Sequence, residues 1–296
     1  MRFGHTLNAY WWSPRKNLRM LGIEAGLRAR MWYEMTQHGG APLYNFGDEL
    51  SSLAIREATG RRAVWTPIHN ADVIGIGSIL HLYRDTGCQG YIWGSGIQFD
   101  PDSYAAMSGE KVLALRGEKT RAAITGAEHA PLGDPGLLAR SIFGRHSRNR
   151  LGPRASSIII PHITVFSTRA GRQLLAEFGK HVGKIVPPST PIAEIATEIS
   201  RARHVYSSSL HGIIVAHALG TPATHIEFSA TPLDEFKYDD YFGSLNLQRT
   251  SIPAIDILKK TNREAAFKNA DAQLSFADTT IDSLVQGLYL SARPLV

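Results

Sequence analysis

The chain has 296 residues, 43% hydrophobic and 20% charged, the composition of a globular protein with room for two ordinary domains. Lys and Arg outnumber Asp and Glu 32 to 26, and the net charge of +6 favours anionic partners: phosphorylated donors, phosphate-bearing carriers or an anionic membrane surface. One cysteine, Cys88, excludes intrachain disulfides and cysteine-rich zinc sites, and no apolar run reaches the roughly 18 residues that span a bilayer.

Taken in chain order, residues 1–20 are broken by Arg2, His5, Arg15, Lys16 and Arg19 and lack the apolar core of a secretory signal. A cytoplasmic location, or one at the inner face of the cell membrane, is the expectation. The N-terminal segment has little pattern. Asn45-Phe46-Gly47-Asp48-Glu49-Leu50 then leads into a predicted helix ending near Gly60, with Asp48 and Glu49 suited by charge to its first turn. Ala71–Gly77 and Gly90–Gly96 each read as a strand running into a glycine loop. Lys111–Leu115 is a third strand, ending at Arg116, with a helix predicted from Glu118 to Thr125.

The basic segment 144–154 marks the boundary between two units, residues 1–147 and 148–296. A second run follows: a buried-type strand Ser157–His162, a helix Arg169–Phe178, a short strand Lys184–Val186 and a helix Pro191–Arg203. His204-Val205-Tyr206 is strand-like, and Ser207-Ser208-Ser209-Leu210-His211-Gly212 opens an apolar helix that ends at Gly220, before Pro222. Ala223–Ile226 is a further strand, and Thr279–Leu290 a closing amphipathic helix. Repeated strand–loop–helix units predict an α/β protein of two Rossmann-like domains with a cleft between them.

Open parallel sheets bind ligands beyond the carboxyl ends of their strands. His81, Arg116, His162 and His211 all fall there. Serines and free N–H groups at a helix start suit an anion, and His211 is placed to move a proton beside it. Gly75-Ile76-Gly77 opens like a dinucleotide fingerprint, but Leu80 stands where its third glycine belongs. Metal-ligand spacing, a Gly-x-Ser-x-Gly elbow and an Asp-x-Asp motif are absent, and Asp100-Pro101-Asp102 reads as a turn. No aromatic-interleaved basic motif points to nucleic acid.

Between Tyr44 and Phe242 these motifs, in this order and spacing, resemble the polysaccharide pyruvyl transferase family. The marks are Asn45–Leu50, Ile74–His81, Trp93–Gly96, Leu115–Thr120, Leu132–Pro135, Pro161-His162, Ser207–Gly212 with Gly220-Thr221-Pro222, and Phe236–Tyr241. The resemblance implies a fold similar to two-domain GT-B glycosyltransferases and transfer of the enolpyruvyl unit of phosphoenolpyruvate to a saccharide, in finished polymer or on a lipid carrier. The product is a cyclic pyruvate ketal, formed with no metal or other cofactor. The family's Leu-His pair maps onto Leu210 and His211, and its arginine after the third strand onto Arg116. Many members carry arginine where Ser209 stands, which leaves a cationic contact to His81 or Lys237. His211 is then the candidate acid, and His162 or Asp48 the base for the sugar. Arg116, His81, Ser208, Ser209, Leu210, Asn45, Gly77, Ser78 and Lys237 are the candidate binding residues. Two alternatives share the fold: a nucleotide-sugar glycosyltransferase, with Glu227 as its ribose-binding carboxylate, and a non-catalytic polysaccharide-binding module.

Overall fold

The computed structural model describes residues 6–20, 29–98, 101–144, 156–228 and 235–296. The chain forms two five-stranded sheets. The first contains β1 (Leu7–Tyr10), β2 (Ala63–Trp65), β3 (Val73–Ile74), β4 (Tyr91–Trp93) and β5 (Val112–Ala114), in the order β2-β1-β3-β4-β5. The second contains β6 (Ser157–Ile160), β7 (Gly183–Ile185), β8 (His204–Ser207), β9 (Ala223–Glu227) and β10 (Ser251–Pro253), in the order β10-β9-β8-β6-β7. Every neighbouring pair is parallel. Each half therefore starts mid-sheet, adds one strand outward, then crosses back and proceeds the other way. The order reverses between β1 and β3, and again between β6 and β8. Such reversals open a crevice beyond the carboxyl ends of the strands.

The helices are α1 (Pro14–Met20), α2 (Ala29–Thr36), α3 (Phe46–Thr59), α4 (Leu80–Thr86), α5 (Glu118–Ala122), α6 (Ala139–Phe143), α7 (Arg169–His181), α8 (Ile192–Arg201), α9 (Leu210–Ala218), α10 (Glu235–Ser244) and α11 (Lys260–Ser291). The helix expected after Asn45 is α3, and Gly60 closes it at φ 70°, a conformation open to glycine without strain. The helix expected after Ser209 is α9, with Gly220 just beyond it at φ 74°. The segment 1–20, read as unpatterned, contributes the interior strand β1. The helix placed at Thr279–Leu290 is the last part of α11, which is 32 residues long. The predicted boundary at 147/148 and most of the basic stretch around it lie outside the described residues, as does Asp100.

One apolar core runs through both sheets. Leu7, Val73 and Trp93 of the first sheet reach Ile158 and Val205 of the second through Phe46, Leu50 and Ile55 of α3 and Ile213 and Ile214 of α9. Two elements cross between the halves. Met31, Trp32 and Met35 of α2 pack among Ile159, Phe166, Phe178 and Tyr206. Helix α11 accepts from the Tyr206 hydroxyl at Arg263 O near its start (3.3 Å) and from Trp93 Nε1 at Leu288 O near its end (3.3 Å).

Candidate active site

Both strand-order reversals face one pocket of about 410 Å³, an ordinary size for a small-molecule site. The first sheet contributes Trp12 after β1, Ser78, Ile79, His81 and Leu82 after β3, and Gln98 after β4. The second contributes His162, Ile163 and Thr164 after β6 and Ser209, Leu210 and His211 after β8. Asn45 and Asp48 enter from the start of α3, and Lys237 from the first turn of α10. Nine of the twelve residues expected in the site line it. Gly77, Arg116 and Ser208 stand behind.

The start of α9 is tied down without capping. Ser209 occupies the cap position, yet its hydroxyl makes no cap bond. Instead the Ser207 hydroxyl accepts from Ser209 N (3.0 Å) and lies 2.8 Å from the carbonyl oxygens of Ile160 and Ser209. The positive end of α9 is left facing the pocket without a side-chain cap. Ser208 serves the neighbouring strand: its hydroxyl accepts from His162 N at 2.9 Å, and its carbonyl accepts from the Tyr238 hydroxyl at 2.8 Å. His162 Nδ1 lies 2.8 Å from the Thr164 hydroxyl, which fixes the ring against the pocket wall.

His211 is wedged between helices. A Cβ on Gly47 would lie 2.2 Å from His211 Nδ1, so α3 can meet the imidazole only through a glycine. His211 is half-buried in the pocket wall, and its Nε2 is buried with no hydrogen-bond partner among the described residues. Burial, with Arg116, Lys237 and His162 nearby, lowers its pKa to about 3. Beside it the Asp48 carboxyl accepts from Asn45 Nδ2 at 2.6 Å. Burial, then Glu49 and Asp134, pushes the Asp48 pKa well above the usual carboxylate range. Burial thus favours the neutral form of both groups, the unprotonated imidazole at His211 and the protonated carboxyl at Asp48.

Arg116 departs from the sequence expectation of a fork aimed at the donor. It is 1% exposed. Its Nε donates to Asp240 Oδ2 (2.9 Å), Nη1 to the Ser78 hydroxyl (2.6 Å) and Nη2 to Ile97 O (2.6 Å). A Cβ on Gly96 would strike its Cζ at 2.2 Å, which explains the glycine of the Trp93–Gly96 motif. Arg116 reaches the pocket through Ser78. The lysine among the pocket-lining side chains is Lys237, itself only 6% exposed. Asp134 of the Leu132–Pro135 motif accepts from Gly136 N at 2.8 Å and starts the turn that leads to α6, a structural duty. Burial raises its pKa to about 6. Trp12, Gln98 and Thr164 had no motif to reveal them, and Asp240 lay inside the Phe236–Tyr241 mark without being singled out. No cluster of three or more His, Cys, Asp or Glu side chains that could hold a metal occurs among the described residues.

Two comparisons bear on this arrangement. An uncharacterized protein of Acanthamoeba polyphaga mimivirus is 33% identical over 133 residues, which are 44% of this chain and 45% of that protein. The chain thus spans under half the length of that relative. The family model of polysaccharide pyruvyl transferases matches residues 7–229, from β1 to the end of β9, and takes in every strand but β10 and all but the Lys237 contribution to the pocket. With most of its length matched, the chain belongs to the polysaccharide pyruvyl transferase family.

Proposed function

We propose that the protein transfers the enolpyruvyl unit of phosphoenolpyruvate to two hydroxyls of a saccharide, forming a cyclic ketal and releasing phosphate. The observation that carries this reading is the uncapped start of α9, with His211, His162 and Lys237 in one pocket. A phosphate at that helix end satisfies its N–H groups, and Lys237 offers a point charge to phosphate or carboxylate.

The chemistry balances without a redox step. His211 delivers a proton to the methylene carbon, and C2 becomes oxocarbenium-like. One sugar hydroxyl attacks C2 and loses its proton. The second hydroxyl displaces phosphate and loses its own. Two protons leave the sugar; one replaces that given to carbon and one departs with phosphate. In the free site His211 is neutral, so the donor dianion must draw a proton onto it. Asp48 holds its proton, and therefore His162 is the better base of the two candidates. No metal or other cofactor takes part. The same reading treats each sheet with its helices as a Rossmann-like domain, 1–147 and 148–296. It places the enzyme in the cytoplasm or at the inner face of the membrane, where lipid-linked acceptors are accessible. No helix among the described residues is long and apolar enough to cross a membrane.

The test is direct. The protein is incubated with phosphoenolpyruvate or with UDP- and GDP-sugars, each with a panel of aryl glycosides, and the products are weighed. Addition of one pyruvyl unit with phosphate release is expected, together with a higher melting temperature in phosphoenolpyruvate alone. Hexose addition, or stabilisation by a nucleotide sugar only, overturns the assignment.

A further inference from the structure

The two walls of the pocket differ in chemistry. The wall from the second sheet offers His162, Ser209, His211 and the start of α9. The wall from the first sheet carries His81 and is otherwise uncharged, with Trp12, Ser78, Ile79, Leu82 and Gln98. A dianionic donor belongs to the first of these environments. The other suits a neutral ring with apolar faces and hydroxyl edges.

Trp12 stands out among the described tryptophans. Trp11 donates its indole N–H to Glu49, Trp65 to Trp11 O and Trp93 to Leu288 O. Trp32 is buried at 6% exposure with its Nε1 sealed in. Trp12 alone lines the pocket, half-buried, and its N–H has no partner among the described residues. The Gln98 carboxamide is likewise without a side-chain partner there, and Asn45 spends only its Nδ2 on Asp48. The position of Trp12 is set by the fold. It follows β1 at the strand-order reversal, where ligands of parallel sheets sit. Trp12 packs against the buried cluster that contains Tyr10, Ile79, Leu80 and Ile97, so it is anchored to the core and not a loose surface side chain.

We infer that Trp12 is the acceptor platform: an uncharged pyranose of the acceptor saccharide stacks on the indole, with its hydroxyl edge served by the Trp12 N–H, Gln98 and Asn45. An indole combines a large apolar face with a polar N–H, as a sugar ring combines apolar C–H faces with a polar rim. This rests on the proposed transfer reaction, of which it names the acceptor subsite. It assigns acceptor selectivity to the first sheet and donor binding to the second, with Trp12 as a specificity residue and not an acid or base.

Two measurements separate this inference from the reaction on which it rests. In the first, neutral methyl pyranosides are titrated against the whole protein without any donor, and saturation-transfer NMR reports contact of the sugar C–H protons. Contact is expected in the wild type and in Trp12→Phe, and absent in Trp12→Ala. This outcome needs no catalysis, so it stands even if no pyruvyl product is ever found. In the second, transfer kinetics are measured at saturating phosphoenolpyruvate. Trp12→Ala is expected to raise the acceptor KM on the order of ten-fold or more, while kcat at saturating acceptor and the donor Kd change less than about three-fold. Trp12→Phe keeps an aromatic face and falls between. A Trp12→Ala protein that stays folded and keeps both glycoside contact and acceptor KM overturns the inference, as does a donor Kd that weakens as much as the acceptor KM. If Trp12→Ala does not fold, Trp12→Phe and Gln98→Ala decide: unaltered acceptor KM in both rejects the platform.

Discussion

At the scale of single residues, proton placement makes the sharpest claim. His211 is neutral in the free site because burial and three nearby cationic or potentially cationic groups disfavour its charge. A dianion bound at the start of α9 reverses that balance, so donor binding should take up a proton near neutral pH. Calorimetric titration of phosphoenolpyruvate in buffers of different ionisation enthalpy measures this number. Uptake approaching one proton is expected in the wild type and close to zero in His211→Gln. The same variant should lose roughly 10²-fold or more in turnover, the scale of a general acid, with a smaller loss of donor affinity. Equal uptake in both proteins would place the proton elsewhere. Gly47 supplies a second case. A methyl group there meets His211 Nδ1 at 2.2 Å, so Gly47→Ala must displace the imidazole. Alanine also improves helix propensity, which limits the loss of stability. Turnover falling by about 10²-fold with a near-normal melting temperature is expected, since small misplacement of a reacting group is costly. Wild-type turnover would show that the contact does not position His211.

At the scale of elements, α10 and α5 are locked by one carboxylate. Asp240 accepts from Arg116 Nε, from Thr120 N (2.8 Å) and from the Thr120 hydroxyl (2.7 Å), and it is fully buried. A Cβ on Gly117 would meet Asp240 O at 1.9 Å, so the helices approach backbone to backbone. Asp240→Asn strands the Arg116 charge away from water. It should destabilise the fold by about 3 kcal/mol, read as a lower urea midpoint with an unchanged slope. A shift under about 1 kcal/mol would show that the pair is better hydrated than its burial implies. These elements also show what the sequence could reveal. Helix α3 was legible because acidic residues start it and Gly60 ends it, and α9 because serines precede an apolar run that Gly220 stops. Strands β1, β2 and β10 have three or four residues each, too few for a period to emerge. The part of α11 before Thr279, more than half of the helix, was missed because its buried stripe opens with Ala266 and Ala270, and alanine marks no face; Leu274, Ile281 and Leu288 continue the same stripe. The site followed the same rule. Most residues singled out inside motifs line the pocket, although Gly77, Arg116 and Ser208 lie behind its wall, while Trp12 and Gln98 were placed only by the course of the sheet.

At the scale of the whole molecule, buried titratable groups and the shared core govern stability. Burial lowers the pKa of His204 and His211 to about 3 and those of His217 and His225 to about 4, from an ordinary 6.5. Below pH 6.5 the unfolded chain binds these four protons and the native state does not, so this contribution is present above pH 6.5 and fades as pH falls toward 4. Asp48 and Asp134 act in the opposite sense: burial favours their protonated carboxyls in the native state. Four histidines against two carboxyls leave the excess of protons on the unfolded side between about pH 4.5 and 6, so stability should rise with pH there. Denaturant midpoints across that range measure the slope, and a falling curve would contradict the balance. The core sets how the chain comes apart. Apolar contacts pass from Trp93 through α3 and α9 to Val205, α2 packs with the second sheet, and Arg140 on α6 pairs with Asp278 on α11 at 2.9 Å. An interface between independent domains is smaller and more polar than this. The two sheets should therefore melt in one transition despite their separate strand orders, with calorimetric and van't Hoff enthalpies in agreement. Phosphoenolpyruvate should move that single transition upward without splitting it, because the pocket draws on both sheets. Two resolved transitions, only one of them shifted by the donor, would show that each half folds alone and that the shared core contributes little to holding them together.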